Sequence, residues 1–328
     1  MKMKREAFQR ALAAAALLLW STVPALAASE AIAPGVQLFE SRRFEEARKF
    51  FEPYVAKNPK DPDGTYYLGR TLFAQEKYEP AAGQLEKSVE IRPNADALLW
   101  LGRAYGQFAM QASVFKQAGL AKKCKAAWDR AVALDPNNLE VRGDLIQYYL
   151  RAPGFMGGSV EKAREQAAEI RKRDAVRGAL AAVTIHLYQK DNAAAEKELA
   201  EAIRKAPADP RPRMTLGALQ QEAKRWNEAF ETFEATLKTD PESYDALYQI
   251  GKTGALSGQR LDRAEECLKR YLAHTPKPGS APLANAHYRL GMVYEKKANK
   301  TLARTHYKKA VELDKGLKEA KEALSKLG

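Results

Sequence analysis

Apolar and polar positions along this chain recur with a long period. From Pro210 to Gly251, apolar residues of contrasting size fall at Leu216-Gly217, Trp226, Ala229 and Phe233, and Pro241 precedes the next Ile250-Gly251. Gly217 and Gly251 are 34 residues apart, as are Pro207 and Pro241. Gly217 and Ala229 suit the places where two helices of one unit approach closely, while Leu216 and Phe233 are large enough to fill the space between units. Pro241 cannot continue a helix interior, because it lacks an N–H and clashes with the preceding turn. One such helix pair cannot bury its apolar face alone, so copies should flank it.

The copies are legible on both sides. Gly35, Ala47, Phe51 and Pro59 are matched 34 residues later by Gly69, Ala81, Leu85 and Pro93; Pro34 fits only near the start of its helix. A third unit shows Leu101-Gly102 and Tyr105, then Trp128, Ala131 and Pro136. Its small second-helix residue, Cys124, comes late, so about ten residues within 108–119 are inserted between or onto its helices. A fourth unit reads as helices over 137–150 and 159–172, around a long turn at 151–158. A fifth, 176–209, lacks the glycine but keeps Ala195, Leu199, Ala202 and Pro207. The sixth and seventh cover 210–278, and Leu290-Gly291, Tyr294, Ala303, Tyr307 and Ala310 define an eighth. The connection 275–282 is longer and stiffer than the others and reads as a bend. In the tail, 316–327, Leu317, Ala320, Leu324 and Leu327 share one helical face and charges occupy the other, as expected of a helix that closes the open end of a stack.

The first residues carry a different pattern. Lys2, Lys4, Arg5 and Arg10 precede an apolar run from Ala11 to Trp20, followed by Pro24 and Ala25-Leu26-Ala27. A basic head, a short apolar core and a small-x-small end predict a secretory signal peptide, residues 1–27, cleaved after Ala27, with a periplasmic or secreted product. The run is short of the ~20 residues that span a bilayer, and no second long run follows, so the chain is not expected to span a membrane. Loss of 1–27 lowers the formal net charge from +13 to roughly +10, an excess that suits an anionic partner such as an acidic protein, lipopolysaccharide or headgroups. Nucleic acid is not expected, since an exported protein rarely meets it. The two cysteines, Cys124 and Cys267, sit four units apart. With packed helices ~8–10 Å apart, that separation exceeds the ~7 Å between Cα atoms that a disulfide spans, so both read as small core residues on second helices.

Catalytic, metal and cofactor sites are not predicted. Gly251-Lys252-Thr253 resembles the end of a phosphate-binding loop, but Ala246 stands where the first glycine is required, and the tripeptide falls inside a predicted helix. Gly157-Gly158-Ser159 precedes a helix, where Ser159 is expected as N-cap. The histidines, His186, His274, His287 and His306, show no i, i+4 metal pair, and no Gly-x-Ser-x-Gly elbow occurs.

The 34-residue period, with Gly217, Trp226, Ala229, Phe233 and Pro241 in register, resembles the tetratricopeptide repeat (TPR) family. That resemblance implies an all-α fold, a right-handed α-solenoid of about eight helix pairs over 28–328 with a C-terminal capping helix. It also implies that first helices line a concave groove for an extended peptide or a helix. By register, units two to four would present Tyr66, Arg70, Phe73, Leu99, Arg103, Arg142, Leu145 and Tyr148, aromatic and arginine types being enriched at binding hot spots. Phe73, Leu99 and Leu145 serve equally well as inter-repeat core. Arg70 and Arg103 fall where the family's chaperone-binding members hold a C-terminal carboxylate, but the expected asparagines are missing.

The two insertions, on consecutive first-to-second turns, share an edge and should touch. Their apolar side chains, Phe108, Val114, Phe115, Phe155 and Met156, predict a shared cluster with Phe155 and Met156 partly buried. This edge is either a structural plug or a second contact surface. The function expected is a non-enzymatic periplasmic adaptor that binds a segment of another envelope protein. The alternative is an accessory to surface polysaccharide or lipopolysaccharide handling that binds polyanions through its basic surface. Salt separates the two, since polyanion binding weakens steeply with ionic strength. Export has its own test: N-terminal sequencing is expected to find Ala28 on protein from the soluble envelope fraction, and Met1 on cytosolic material rules the export reading out.

Overall fold

Short polar residues and prolines open the first helix of most units, as helix termini require acceptors for their free N–H groups. The Asp61 side chain accepts from the Asp63 N–H at 2.9 Å and Pro62 takes the first helical position. Asn94, Asn138, Asp174 and Asp209 cap four further helices in the same way. The computed structural model describes residues 30–277 and 279–327, so the expected signal segment lies outside the described residues. Among the described residues all regular structure is helical.

The helices fall into eight consecutive pairs. They are α1 (Ala33–Glu40) with α2 (Phe44–Lys57), α3 (Pro62–Ala74) with α4 (Tyr78–Ile91), α5 (Ala95–Gln111) with α6 (Val114–Leu134), and α7 (Leu139–Arg151) with α8 (Val160–Arg171). Then follow α9 (Ala175–Tyr188) with α10 (Asn192–Lys205), α11 (Pro210–Glu222) with α12 (Trp226–Thr239), α13 (Tyr244–Ser257) with α14 (Leu261–Leu272), and α15 (Leu283–Lys296) with α16 (Lys300–Leu313). A last helix, α17 (Lys318–Lys326), packs on α16. Ala320 is buried there, and Leu324 and Leu327 lie against the cluster that holds Val293 and Tyr307. The chain divides into two compact units, with the boundary after Ala195 in α10.

Six of the eight pairs, all but the fourth and fifth, are closed by a first-helix glycine lying under a bulky second-helix side chain. A Cβ on Gly217 would come within 2.4 Å of the Phe233 ring, and one on Gly102 within 2.2 Å of Trp128 Nε1. The Trp128 N–H donates to the Leu99 carbonyl at 3.1 Å, so the ring is fixed as well as seated. Leu85, Leu268 and Tyr307 fill the same place over Gly69, Gly251 and Gly291. Within each compact unit second helices pack onto the next first helix, as α2 does onto α3 and α12 onto α13, and first helices onto each other, as α3 does with α1 and α5. Tyr67 of α3 stacks on Phe51 of α2, centroids 5.8 Å apart, carrying the core from one pair to the next. Cys124 and Cys267 are free and buried, on α6 and α14.

Each pair without an insertion has one non-glycine residue with positive φ in its turn: Arg42, Glu76, Lys190, Lys224, Arg260 (with Gly258 two residues before it) and Ala298. At Glu76 the turn is stitched by the Glu76 N–H to the Phe73 carbonyl and the Lys77 N–H to the Leu72 carbonyl, the paired bonds of a Schellman motif. None of the six is glycine, although L side chains are disfavoured there.

The third and fourth pairs turn differently. The inserted residues of the third lengthen both helices, α5 to 17 and α6 to 21 residues, joined only by Ala112-Ser113. In the fourth, residues 153–158 form a 3-10 turn, Gly154–Met156, held by the Tyr148 hydroxyl donating to the Met156 carbonyl at 2.7 Å. A Cβ at Gly158 would overlap the Ala152 carbonyl oxygen at 1.8 Å, so only glycine closes that turn. The expected shared apolar cluster does not form. Phe115 is 97% exposed and Phe155 86%; Met156 and Phe108 are half-buried. The reason is length: Gly157 lies beside the Lys125 side chain on α6, and ten helical residues between Lys125 and Phe115 carry the tip about 15 Å farther out.

The glycine–ring contact has a direct test. Gly102→Ala should cost about 1–3 kcal/mol by forcing Trp128 from its seat. Gly143→Ala, whose Cβ would meet nothing within 4 Å, should instead gain up to about 1 kcal/mol from helix propensity. Denaturant midpoints of the two variants are expected to move in opposite directions.

Candidate functional site

The first-helix face of the N-terminal compact unit concentrates aromatic rings and arginines. Arg70, one turn after Tyr66 on α3, projects toward α5 and lies over three rings. Its Cζ is 4.8 Å from the Phe39 centroid, 5.4 Å from Tyr66 and 4.4 Å from Trp100. On the same Trp100 ring, Arg103 Cζ sits 4.8 Å from the centroid, so the indole touches two guanidinium groups. Phe73 meets Trp100 edge-on at 5.4 Å. Guanidinium groups over ring faces gain from the ring quadrupole, most where water is partly excluded.

The two arginines differ in their charge partners. Arg103 Nε donates to Asp144 at 2.6 Å and Nη2 to Glu140 at 3.2 Å, carboxylates one turn apart on α7. Arg70 Nη1 donates to the Tyr66 hydroxyl at 3.0 Å, and that hydroxyl donates to Asp96. Burial raises the Tyr66 phenol well above its ordinary range, which keeps it a donor. No carboxylate pairs with Arg70 among the described residues, and its Nε is buried without a hydrogen-bond partner. A carboxylate from outside could take the open side of this guanidinium in a charge-assisted bond.

Of the eight residues expected on this face, the structure places Arg70, Phe73 and Arg103 there, with the Tyr66 hydroxyl. The Tyr66 ring is itself buried, as are Leu99, Leu145 and Arg142. Arg142 serves structure: Nε and Nη2 donate to the Pro136 carbonyl at 3.1 and 3.0 Å, and Nη1 to Gln166 at 2.8 Å. Tyr148 holds the 153–158 turn. The register in the fourth unit explains the displacement. Gly69 is the eighth residue of α3, Gly102 of α5 and Gly217 of α11, but the eighth residue of α7 is Ile146. Counted from Ile146, Arg142 takes the place of Thr65 and Leu98, and Leu145 that of Leu68 and Leu101, all of them buried. Trp100, Phe39, Asp96, Glu140 and Asp144 were missed. Trp100 is three residues before Arg103 and four after Asp96, a spacing that marks one helix face.

The C-terminal unit holds a second basic cluster. Lys252 of α13 lies near Arg289 of α15; burial, then that like charge, lowers its ammonium below the usual lysine range. Lys252 is helical, as expected for Gly251-Lys252-Thr253, and Ser159 caps α8 by accepting from the Lys162 N–H. The histidines, scattered in sequence, are partly gathered: His287 of α15 and His306 of α16 approach with their Nδ1 atoms 2.9 Å apart. Among the described residues no group of three or more His, Cys, Asp or Glu is placed to hold a metal ion. Burial pushes the Cys267 thiol up to about 12 and raises Cys124 as well, so neither is a thiolate near neutrality.

Models of the tetratricopeptide repeat match residues 35–96, 186–253 and 284–317, together half of the chain. No curated protein matches the sequence. Among solved structures, yeast Tom70 superposes with a TM-score of 0.64 at 14% identity, over 95% of this chain and 65% of that one. The chain thus spans just under two thirds of that protein's length. A tetratricopeptide repeat protein from Parabacteroides merdae gives a TM-score of 0.47 at 13% identity, over 91% of this chain and 97% of its own. At these identities the likeness concerns the fold.

The histidine pair sets a pH response. Burial, then the neighbouring His287, pushes His306 down to about 4, below its unfolded value near 6.5. Between those values the unfolded chain binds more protons, so this contribution to stability is full above about 6.5 and is lost as pH falls toward 4. NMR titration of His306 is expected to show a midpoint near 4, with the α15–α16 pair loosening as pH falls through this window. A midpoint near 6.5 rules this out.

Proposed function

Since this chain belongs to the tetratricopeptide repeat family, we propose that it is a non-catalytic adaptor whose first-helix groove holds a segment of another protein of the cell envelope. The observation that carries the reading is Arg70: a guanidinium set among Phe39, Tyr66 and Trp100, with no carboxylate of its own. The neighbouring Arg103 is neutralised by Asp144 and Glu140, which makes it a support for Trp100. The partner that fits is an extended or helical segment offering an acidic side chain to Arg70 and an apolar side chain to Trp100 and Phe73. The residue pattern of 1–27 supports placing this binding in the periplasm.

The polyanion reading draws on the net charge of +13. It predicts binding through many dispersed lysines, whereas the groove predicts dependence on a few named residues. Affinity capture from envelope extract with the wild-type chain would supply the partner. Arg70→Ala is then expected to weaken its binding at least about tenfold, the loss of one charge-assisted bond. Trp100→Ala should weaken it similarly, with the circular-dichroism spectrum unchanged. Undiminished capture by both variants, or affinity that tracks ionic strength alone, counts against the groove.

A further inference from the structure

The four most exposed large apolar side chains among the described residues all stand on the two inserted turns. Phe115 is 97% exposed, Phe155 86%, Val114 77% and Met110 70%. Three of them, Met110, Val114 and Phe115, cluster around the two-residue turn Ala112-Ser113 where α5 passes into α6. The tip is helical almost to its end and stands clear of the fourth unit's turn, so folding brings no core to these side chains. Single exposed apolar residues are ordinary; a concentration at the end of a projecting hairpin is not.

The charge around the tip is one-sided. From residue 97 to residue 128 the sequence contains no Asp or Glu, in a chain that has 41 of them, while Arg103, Lys116, Lys122, Lys123 and Lys125 all fall there. Lys123 pairs with Glu86 and Lys125 with Asp129. Lys116 and Lys122 are exposed and have no ion pair among the described residues. Lys122 follows Phe115 by two helical turns, on the same side of α6 and about 10 Å back from the tip. An apolar end with a lysine set back by that distance suits burial of the apolar part about 5–10 Å into the headgroup/acyl boundary, and the Lys116 ammonium, beside Phe115, reaches the headgroups along its flexible stem.

The backbone at the tip is also provided for. The Ala112 N–H donates to the Phe108 carbonyl, and the Lys116 and Gln117 N–H groups to the Ser113 carbonyl, at 2.9, 2.9 and 3.2 Å. The Gln117 side chain donates to the Ala112 carbonyl at 3.1 Å. Polar backbone groups so occupied lose little on leaving water.

We propose that the α5–α6 tip is a membrane-contact element, which inserts Met110, Val114 and Phe115 into the surface of a bilayer rich in anionic phospholipid, with Lys116 and Lys122 at headgroup level. The contact is peripheral, and no helix among the described residues is long and apolar enough to cross a membrane. Insertion of the tip leaves the Arg70 groove free, so the chain could hold its protein partner against a membrane surface.

The test uses the full chain with vesicles of phosphatidylcholine alone or mixed equally with phosphatidylglycerol. The apolar run after residue 10 is common to all variants and cancels in the comparison. Because Cys124 and Cys267 are buried, Phe115→Cys provides one accessible thiol for an environment-sensitive fluorophore. Its emission is expected to shift to the blue on the mixed vesicles and much less on phosphatidylcholine. The double variant Val114→Ser, Phe115→Ser should lower binding to mixed vesicles at least about tenfold, as should Lys116→Glu with Lys122→Glu, while Arg70→Ala leaves it unchanged. An unshifted probe overturns the proposal, as does a Ser variant that binds as well as the parent. If the tip instead joins two copies or grips a protein, vesicles leave the probe unmoved and the Ser variant loses the dimer or the captured protein, which also overturns it.

Discussion

The contact on which the rest of the molecule depends is the approach of a first helix to its second helix at one glycine. At Gly102 and Gly217 the backbone comes so near a Trp or Phe ring that no Cβ fits between them. That single small residue sets the distance between paired helices, and hence which other side chains can interdigitate. It also fixes register, since the ring has one seat. Glu76 and Lys224 hold a positive φ that L side chains disfavour, in turns whose N–H groups bond back to the last turn of the helix, Glu76 to Phe73 and Lys77 to Leu72, Lys224 to Gln221 and Arg225 to Gln220.

On that frame, charge decides what the inner face can do. A guanidinium is expensive to leave without partners away from water. Arg103 meets this with two carboxylates from the next helix, and so links α5 to α7 while steadying Trp100. Arg70 meets it with rings and a phenol, and keeps its charge unneutralised. The two arginines are equivalent in sequence position and opposite in consequence: one has become structure and the other remains available. The difference lies in the next first helix: α7 offers Glu140 and Asp144 at its second and sixth positions, where α5 offers Asp96, already bonded by the Tyr66 hydroxyl, and Trp100.

The third and fourth units depart from the repeat in the turns, where neighbouring rings do not constrain the chain. Extra residues there can lengthen helices without disturbing the glycine seats, as Gly102 and Trp128 show by keeping their contact across a hairpin ten residues longer than the pattern requires. The added surface is free of core duty and of the charge balance kept elsewhere. It carries aromatic and aliphatic side chains in open view and lysines without carboxylates. A repeat scaffold can thus acquire a second surface away from its groove at small cost to its stability.

Much was legible in the residues alone. The eight pairs, the capping tail, the core cysteines, the insertion at 108–119 and the helical state of Gly251-Lys252-Thr253 all follow from spacing, because spacing is what helix packing reads. Three things were not. The inner face of α7 was not legible, since that helix carries no glycine at its eighth position, where Ile146 stands, and without the marker the register of Arg142 and Leu145 is open. The path of the inserted residues was open because local spacing does not say whether they loop or extend the helices; tertiary structure sent them outward and kept Phe115 from Phe155. Last, His287 with His306 and Arg70 with Trp100 meet across separate helices. No local pattern encodes such encounters, because they arise from side chains of different helices being brought to the same height. Sequence by itself determined the repeat, its length and its seats; tertiary packing decided which charges were cancelled and which rings were left in the open.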